Sequence, residues 1–156
     1  MVDNKILVGP NAFAGEWGHV PIPNSENNYT IEDHVSGKGL EKLYFKKYKE
    51  KLVAKDIFLK SRRNSSKEKA FVKDFLDKLG LSLSVLINIV DPDAIVFGGG
   101  VSKEIESLDE LKKITEKYLK NINYLKNSNL RTVFLKPKYG DASGVRGAAR
   151  LGVSEK

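Results

Sequence analysis

The chain has 156 residues, of which 40% are hydrophobic and 30% charged, and this composition fits a single domain (1–156) with its own core. It contains no cysteine, which excludes disulfide frameworks and thiolate metal sites. No apolar stretch reaches membrane-spanning length and no basic-then-apolar leader opens the sequence, so we expect a cytoplasmic protein with no membrane partner.

The excess of basic residues raises the question of an anionic partner. Lys and Arg number 27 against 20 Asp and Glu, a net charge of +7. The densest basic stretch, residues 42–51, interleaves lysines with aromatic residues. We expect it to form a solvated helix face on which lysine stems cover apolar neighbours, and this distribution argues against nucleic acid as a partner.

The first half of the chain predicts one strand, an exposed connection and two helices. Residues 5–9 (KILVG) are typical of a strand end, and 20–30 of an exposed loop. A helix is expected from about Lys38. Ser65 and Glu68 form a capping-box pattern ahead of one long buried helix, in which Gly80 would permit a close helix approach. The apolar positions of that helix are Phe71, Phe75, Leu79, Leu83, Leu86 and Val90.

The second half alternates strands and helices. Residues 94–97 predict a buried strand that ends in three glycines, and 107–122 an amphipathic helix opened by a second capping-box pattern, Ser107 with Glu110. A strand over 131–137 and a small-residue helix over 140–153, suited to close packing, follow. This alternation predicts an α/β layered domain.

Two glycine-bearing turns are candidates for binding a nucleotide. Gly98, Gly99 and Gly100 follow a strand, where main-chain amides become accessible to a ligand, although a tight turn explains three glycines equally well. Residues 140–149 (GDASGVRGAA) offer a second such turn at a helix start, where free N–H groups favour an anion.

The stretch FAGEWGH (13–19) places a carboxylate and an imidazole three residues apart. In a functional interpretation Glu16 accepts hydrogen bonds from vicinal hydroxyls of a sugar, while His19 binds the same ligand or a metal. In a structural interpretation the two side chains satisfy each other in a loop. The zinc-protease pattern HExxH is absent, so the residues alone leave both interpretations open.

Four motifs occur in an order that resembles the ROK family of sugar kinases and repressors. They are AGEWGH (14–19), IEDHVSG (31–37), NIVDPDAIVFGGGVS (88–102) and GDASGVRGAARL (140–151). They look most similar to the fructokinase and mannofructokinase branch. The resemblance implies the C-terminal lobe of an actin-like, ribonuclease-H-like ATPase fold, with a mixed sheet and flanking helices, and without the N-terminal lobe.

The resemblance also implies roles for single positions. Glu16, His19 and Glu32 fall where the family contacts the sugar, and His19 also falls where it ligates a structural zinc. The loop that receives the adenosine of ATP corresponds to Gly98, Gly99 and Gly100, flanked by Gly140, Asp141 and Gly144.

The sequence departs from the family pattern in two respects. The family's cysteine cluster is replaced by VPIPNSENNYTI (20–31), and we therefore expect no zinc. The general base and the main phosphate loops of such kinases lie upstream of AGEWGH, so no catalytic residue is assigned, and ATP with Mg²⁺ is expected only with a complete enzyme. Asp91, Asp93 and Asp141 could serve as a base, but turn and capping roles explain them better.

Three functions remain open from the sequence. The chain is the hexose- and adenosine-binding part of an ATP-dependent kinase, a sugar-sensing module of a transcriptional regulator, or an inactive remnant. If strands are missing beside residues 5–9, a strand edge and part of the apolar face of 71–90 would be exposed, and we expect a homo-oligomer or a separate N-terminal lobe as the partner.

Overall fold

The computed structural model describes residues 5–22, 29–120, 129–140 and 142–151, with the side chains of 120 and 151 left aside. A 3₁₀ turn at Trp17–His19 precedes four helices: α1 (Ile31–Val35), α2 (Gly37–Tyr48), α3 (Ala54–Arg62) and α4 (Ser66–Val90). Then come β1 (Ala94–Val96), α5 (Gly100–Glu104), α6 (Leu108–Lys120), β2 (Val133–Leu135) and α7 (Ala142–Leu151). The α/β class predicted from the sequence is confirmed.

Helix α4 is the centre of the fold, packed by α6, α3 and α1. Its apolar side chains repeat at three- and four-residue steps, which places them on one face of a helix. Most of that face is covered, but Val90 at its end is 50% exposed, so part of the apolar face is exposed as expected. The buried apolar side chains of α4 are Phe71, Phe75, Leu79, Leu83 and Ile87.

Helices α4 and α6 approach each other closely at Gly80, as the sequence predicted. A Cβ built on Gly80 would lie 2.5 Å from Cγ2 of Ile114 and 3.3 Å from its carbonyl carbon. No residue larger than glycine fits at this crossing without moving Ile114.

The described part of the sheet consists of two parallel strands. Ile95 pairs with Phe134, and these two side chains pack against the core. Their neighbours Ala94, Val96, Val133 and Leu135 lie on the other face and are exposed. The predicted strand at 94–97 is confirmed over 94–96, but the prediction that it is buried is wrong, because successive side chains of a strand point to opposite faces and only one face is covered here.

Several local predictions differ from the structure. Residues 6–9 form no strand, and Ile6, Leu7 and Val8 are exposed, because no neighbouring strand among the described residues pairs with them. The short helices α1, α3 and α5 were not predicted, since none has enough turns to show a clear apolar period. The small-residue helix forms at α7, but its described side chains are mostly exposed and not closely packed.

Of the two predicted capping boxes, the one at Ser107 caps its helix and the one at Ser65 does not. The Ser107 hydroxyl accepts a hydrogen bond from the backbone N–H of Glu110 (3.1 Å), as expected at the start of α6. Ser65 does not cap α4 through the backbone. Its hydroxyl donates instead to the carboxylate of Glu68, which is 1% exposed and also accepts a hydrogen bond from the hydroxyl of Tyr44 (2.5 Å).

The basic stretch occupies the predicted position on the surface of α2. Lys42 and Lys46 lie 5.1 Å and 5.6 Å from the centre of the Tyr29 ring, and Lys47 lies 5.4 Å from that of Tyr48. The lysines therefore cover aromatic neighbours while their side chains stay exposed. None of the helices that the structure describes is both long and apolar enough to cross a membrane.

Candidate functional site

The structure brings Glu16, His19 and Glu32 together. Nε2 of His19 lies 3.4 Å from Oε2 of Glu16 and 4.0 Å from Oε2 of Glu32. All three side chains are more than half exposed, so their polar atoms are free to meet a ligand from solvent. The sequence-predicted sugar-binding residues are thus neighbours in space, although Glu32 follows His19 by 13 positions and the chain turns back between them.

The 3₁₀ turn holds the first two of these residues on one side of the chain. The amide of His19 donates to the carbonyl of Glu16 (3.2 Å), and the amide of Glu16 donates to that of Phe13 (3.1 Å). Trp17, between them, packs against the hydrophobic core. The indole side chain anchors the turn, and Glu16 and His19 are left facing outward.

Helix α1 presents Glu32 from its first turn, and the helix start is capped by Thr30. The amide of Asp33 donates to Oγ1 of Thr30 (3.4 Å), while the amide and hydroxyl of Thr30 both donate to Oδ2 of Asp33 (3.0 Å each). This is a reciprocal capping box. Its only signal in the sequence is the spacing of three between Thr30 and Asp33, and it was not predicted.

A single residue, Ser36, ends α1 and begins α2. Its amide donates to the carbonyl of Glu32 (2.9 Å), and its hydroxyl accepts from the amide of Gly39 (3.0 Å). A Cβ on Gly39 would collide with the carbonyl of Asp33. Only glycine therefore lets α2 start this close to α1, and a glycine in the first turn of a predicted helix was the sequence signal for this contact.

The chemistry of the Glu16–His19–Glu32 site suits a polyhydroxylated ligand. Two carboxylates offer several acceptor sites for hydroxyl groups, and an imidazole adds a donor or an acceptor. His19 and Glu32 line an open depression of about 380 Å³, a size suited to a small molecule. The other charged side chains on this depression are Asp33, Lys38 and Lys42, and Nζ of Lys42 lies 4.0 Å from Oδ1 of Asp33.

The donor set around His19 does not fit the structural zinc that the resemblance implies. Zinc requires three or four closely placed ligands, in structural sites mostly thiolates and imidazoles. The chain has no thiolate, and the residues described by the structure contain no group of three His, Asp or Glu side chains placed to hold a metal ion. The loop of His19 must therefore be held to its neighbours by other bonds.

The candidate nucleotide loops follow the two strands. Gly98 and Gly99 lie between β1 and α5, one residue after the strand ends, and Gly100 begins α5. Gly140 follows β2 and precedes α7. Because β1 and β2 are parallel neighbours, both loops leave the same edge of the sheet. A Cβ at any of these glycines or at Gly144 would meet nothing within 4 Å, so their backbone is open to a ligand. Asp141 lies outside the described residues.

Gly99 has the backbone conformation that such a loop needs. Its φ of +84° lies in the left-handed region, and it forms the N-cap of α5. Gly100 lines an open depression of about 410 Å³ together with Gly37, Val53, Ala54 and Lys55 of α2, α3 and their connection. Sequence analysis did not find these flanking residues, since no motif marks them.

The two candidate sites lie close together at the start of α2. A Cβ on Gly37 would lie 3.4 Å from Cγ2 of Val101, the residue after the glycine loop. Gly37 in turn follows Ser36, the end of the helix that carries Glu32. The carboxylate site and the glycine loop are therefore connected through two consecutive residues at the start of α2.

Helix α5 is also anchored from α3. Arg62 donates to the carboxylate of Glu104 (2.5 Å) and to its carbonyl (3.4 Å), and its Nε lies 3.6 Å from Glu106. The guanidinium fork thus fixes the far end of the helix that begins at Gly100.

Two of the aspartates considered as general bases, Asp91 and Asp93, lie between α4 and β1. Asp91 is the C-cap of α4 with a φ of +44°, and the carbonyl of Asp93 accepts the amide of Val133 (2.8 Å). The position of Asp91 agrees with the turn or capping role expected for it, whereas the bond of Asp93 extends the pairing of the two strands.

Comparison of the sequence and fold with known proteins shows to which family the chain belongs. The sequence matches the ROK family model over residues 1–155. The chain belongs to the ROK family. The resemblance inferred from the four motifs is confirmed at the level of the family, and the fold matches about half of the actin-like ATPase fold of solved ROK sugar kinases.

The relatives are about twice as long as this ROK chain. An N-acetyl-D-glucosamine kinase of Yersinia enterocolitica is 32% identical, and the match covers 99% of this chain and 54% of that protein. A ROK family glucokinase from Streptomyces griseus, solved with glucose and AMPPNP, shares 22% identity with a TM-score of 0.73, covering 95% of this chain and 54% of that one. The ROK hexokinase from Thermus thermophilus gives 20% identity and a TM-score of 0.73, covering 97% of this chain and 52% of that one.

Proposed function

We propose that this chain is the sugar- and adenosine-binding half of an ATP-dependent hexose kinase. The observation that carries the proposal is the meeting of Glu16, His19 and Glu32 in one exposed site. Two carboxylates and an imidazole provide the acceptors that vicinal hydroxyls require, and they stand on a 3₁₀ turn and a capped helix start.

The glycine loops support the nucleotide part of the proposal. ATP would approach the open backbone of Gly98–Gly100 at the carboxyl edge of the parallel strands, with Gly140 and Gly144 beside it. The close approach of Gly37 to Val101, where an added Cβ would lie 3.4 Å from Cγ2 of Val101, places this loop near the sugar site. Mg²⁺, when bound with ATP, would supply charge neutralisation of the phosphates.

Phosphoryl transfer requires a general base and phosphate-binding groups in addition to these parts. The chain spans about half the length of the curated relatives it matches. We therefore propose that the 156-residue chain binds hexose and nucleotide, and that turnover needs a further lobe, from the same or another polypeptide.

The identity of the hexose is the finer part of the proposal. The motifs favour a fructose- or mannose-type substrate, whereas relatives such as the one from Yersinia enterocolitica are N-acetyl-D-glucosamine kinases. Titration calorimetry of the chain with D-fructose, D-mannose, D-glucose and N-acetyl-D-glucosamine would rank these ligands. A coupled assay with ATP and Mg²⁺ on the same samples separates binding from turnover.

The deciding variants are Glu16→Gln and Glu32→Gln. Each exchanges a charged acceptor for a neutral one, and each should weaken hexose affinity by about tenfold or more, because hydrogen bonds to charged groups contribute about 1.5–3 kcal/mol. Glu110→Gln, at an exposed carboxylate in the first turn of α6, is the matched control and should bind as the parent does. Unchanged affinity in both site variants would refute the assignment. Sugar binding that no added lobe converts to turnover would favour a sugar-sensing module instead.

A further inference from the structure

The segment that carries His19 and the helix that carries Glu32 are joined by backbone hydrogen bonds. Pro21 and Thr30 form an antiparallel bridge. Across it the amide of Ile31 donates to the carbonyl of Val20 (3.0 Å), and the amide of Ile22 donates to that of Tyr29 (2.9 Å). We name this bridge and the Thr30–Asp33 capping box together the 20–33 clasp.

The 20–33 clasp controls the geometry of the site because its bonds sit next to the functional residues. His19 directly precedes Val20, and Glu32 directly follows Ile31. The hydrogen bond between Val20 and Ile31 therefore sets the separation of the imidazole and the second carboxylate, 4.0 Å from Nε2 to Oε2. If the start of α1 at Thr30 loosened, Glu32 would be the first residue of the site to move.

No metal is needed to explain this arrangement. A structural zinc would tie the His19 loop to the start of α1, but the donors described around His19 do not fit one. The clasp makes the same connection with hydrogen bonds alone. We propose that Thr30 and Asp33 are positioning residues that hold His19 against Glu32, and that they do so in a metal-free site. The proposal rests on the proposed function only where hexose affinity is the readout.

The electrostatics of Asp33 support a closed clasp at neutral pH. Hydrogen bonds from the backbone and then the side chain of Thr30 lower the pKa of the Asp33 carboxyl, and the positive charge of Lys42 lowers it further. Ionised Asp33 is the form that accepts both hydrogen bonds from Thr30.

The test uses the whole 156-residue chain and the variant Thr30→Val, which keeps the shape of the side chain and removes its hydroxyl. Thr30→Ser restores the hydroxyl. Ser107→Ala is the matched control, because it removes the same kind of helix cap at the start of α6. Thr30→Val and Ser107→Ala should each lower Tm by about 2–4 °C, as expected for a lost cap in a domain of this size.

The readout that separates positioning from mere stability is the imidazole NMR spectrum. The chain has two histidines, so His34→Gln assigns the signals. Thr30→Val should shift the Cε1–H resonance of His19 and weaken hexose affinity about fivefold. Thr30→Ser should restore both, and Ser107→Ala should change neither. EDTA and one equivalent of Zn²⁺ should leave Tm unchanged.

Two results would overturn the inference. One is a Thr30→Val protein whose Tm falls as in the control while the His19 signal stays in place. The other is a parent protein that loses Tm in EDTA or holds stoichiometric zinc by elemental analysis. If Thr30→Val does not fold, Asp33→Asn removes the charged acceptor and is judged by the same spectra. If the parent binds no hexose but the His19 signal still responds to Thr30, the proposed function fails and the positioning role stands.

Discussion

The crossing of α4 and α6 makes Gly80→Ala a quantitative test of the fold. In an exposed helix this exchange stabilises by about 1 kcal/mol, because alanine is the better helix former. Here the new Cβ would lie 2.5 Å from Cγ2 of Ile114, whereas ordinary contact begins near 3.4 Å. Ile114 would have to retreat by roughly 0.9 Å, and its backbone carbon at 3.3 Å leaves little room for that.

Overpacking of this kind costs about 1–3 kcal/mol. Because the gain in helix propensity offsets part of that cost, we expect Gly80→Ala to lower the free energy of unfolding by about 1 kcal/mol. Ile114→Leu removes the β-branched methyl group that causes the clash. In the double variant the loss should therefore be smaller than the sum of the two single losses.

Urea unfolding monitored by far-UV circular dichroism measures all three variants. Gly147→Ala, at a helical position where a Cβ meets nothing within 4 Å, serves as the control for propensity alone. If Gly80→Ala stabilises the protein, or if its effect simply adds to that of Ile114→Leu, then α4 and α6 do not approach each other as described.

Two further variants test the buried carboxylate and the anchor of α5. Burial raises the pKa of Glu68, but hydrogen bonds from Ser65 and Tyr44 outweigh it and hold the pKa at about 2, below the ordinary 4.5. The ionised Glu68 carboxylate therefore stabilises the folded protein above pH 4.5, and this stabilisation is lost as the pH falls toward 2. Glu68→Gln should lower the free energy of unfolding by about 3 kcal/mol at pH 7 and by much less near pH 2. Urea unfolding at a series of pH values measures the difference, and a difference independent of pH would contradict the assignment. Arg62→Lys keeps the charge but loses the two-pronged contact with Glu104, and it should weaken binding of AMPPNP by about threefold to tenfold in calorimetry with little change in Tm. An equal loss of hexose and nucleotide affinity would mean that Arg62 acts on the fold as a whole.

The sequence was sufficient for features that depend on a long, regular pattern. The apolar period of α4 and the N-cap of α6 follow directly from side-chain spacing. The family motifs located Glu16, His19 and Glu32 before their proximity was known. Gly80 could also be interpreted, because glycine inside a strongly apolar helix has few explanations other than a close contact.

The missed features depend on tertiary context. Ser65 has the spacing of a capping box, yet its hydroxyl donates to the carboxylate of Glu68. That carboxylate is buried and also accepts a hydrogen bond from Tyr44. The helices α1, α3 and α5 have five, nine and five residues, too few turns for a period to stand out. Residues 6–9 have strand propensity, but none of the residues that the structure describes pairs with them, and propensity without pairing forms no ladder.

The junction at Ser36 has a mechanical consequence. With 12 residues at 1.5 Å each, α2 is a lever about 18 Å long, and a tilt of roughly 10° at Ser36 would swing its far end by about 3 Å. The rings of Tyr44 and Tyr48 pack against the ring of Phe71, with centre-to-centre distances of 5.1 Å and 6.0 Å, and this packing opposes such a movement. Because the amide of Ser36 donates to the carbonyl of Glu32, fixing α2 at this junction also fixes the end of α1, the helix that carries Glu32. If the proposed function holds, we expect a sugar to find this carboxylate already in place.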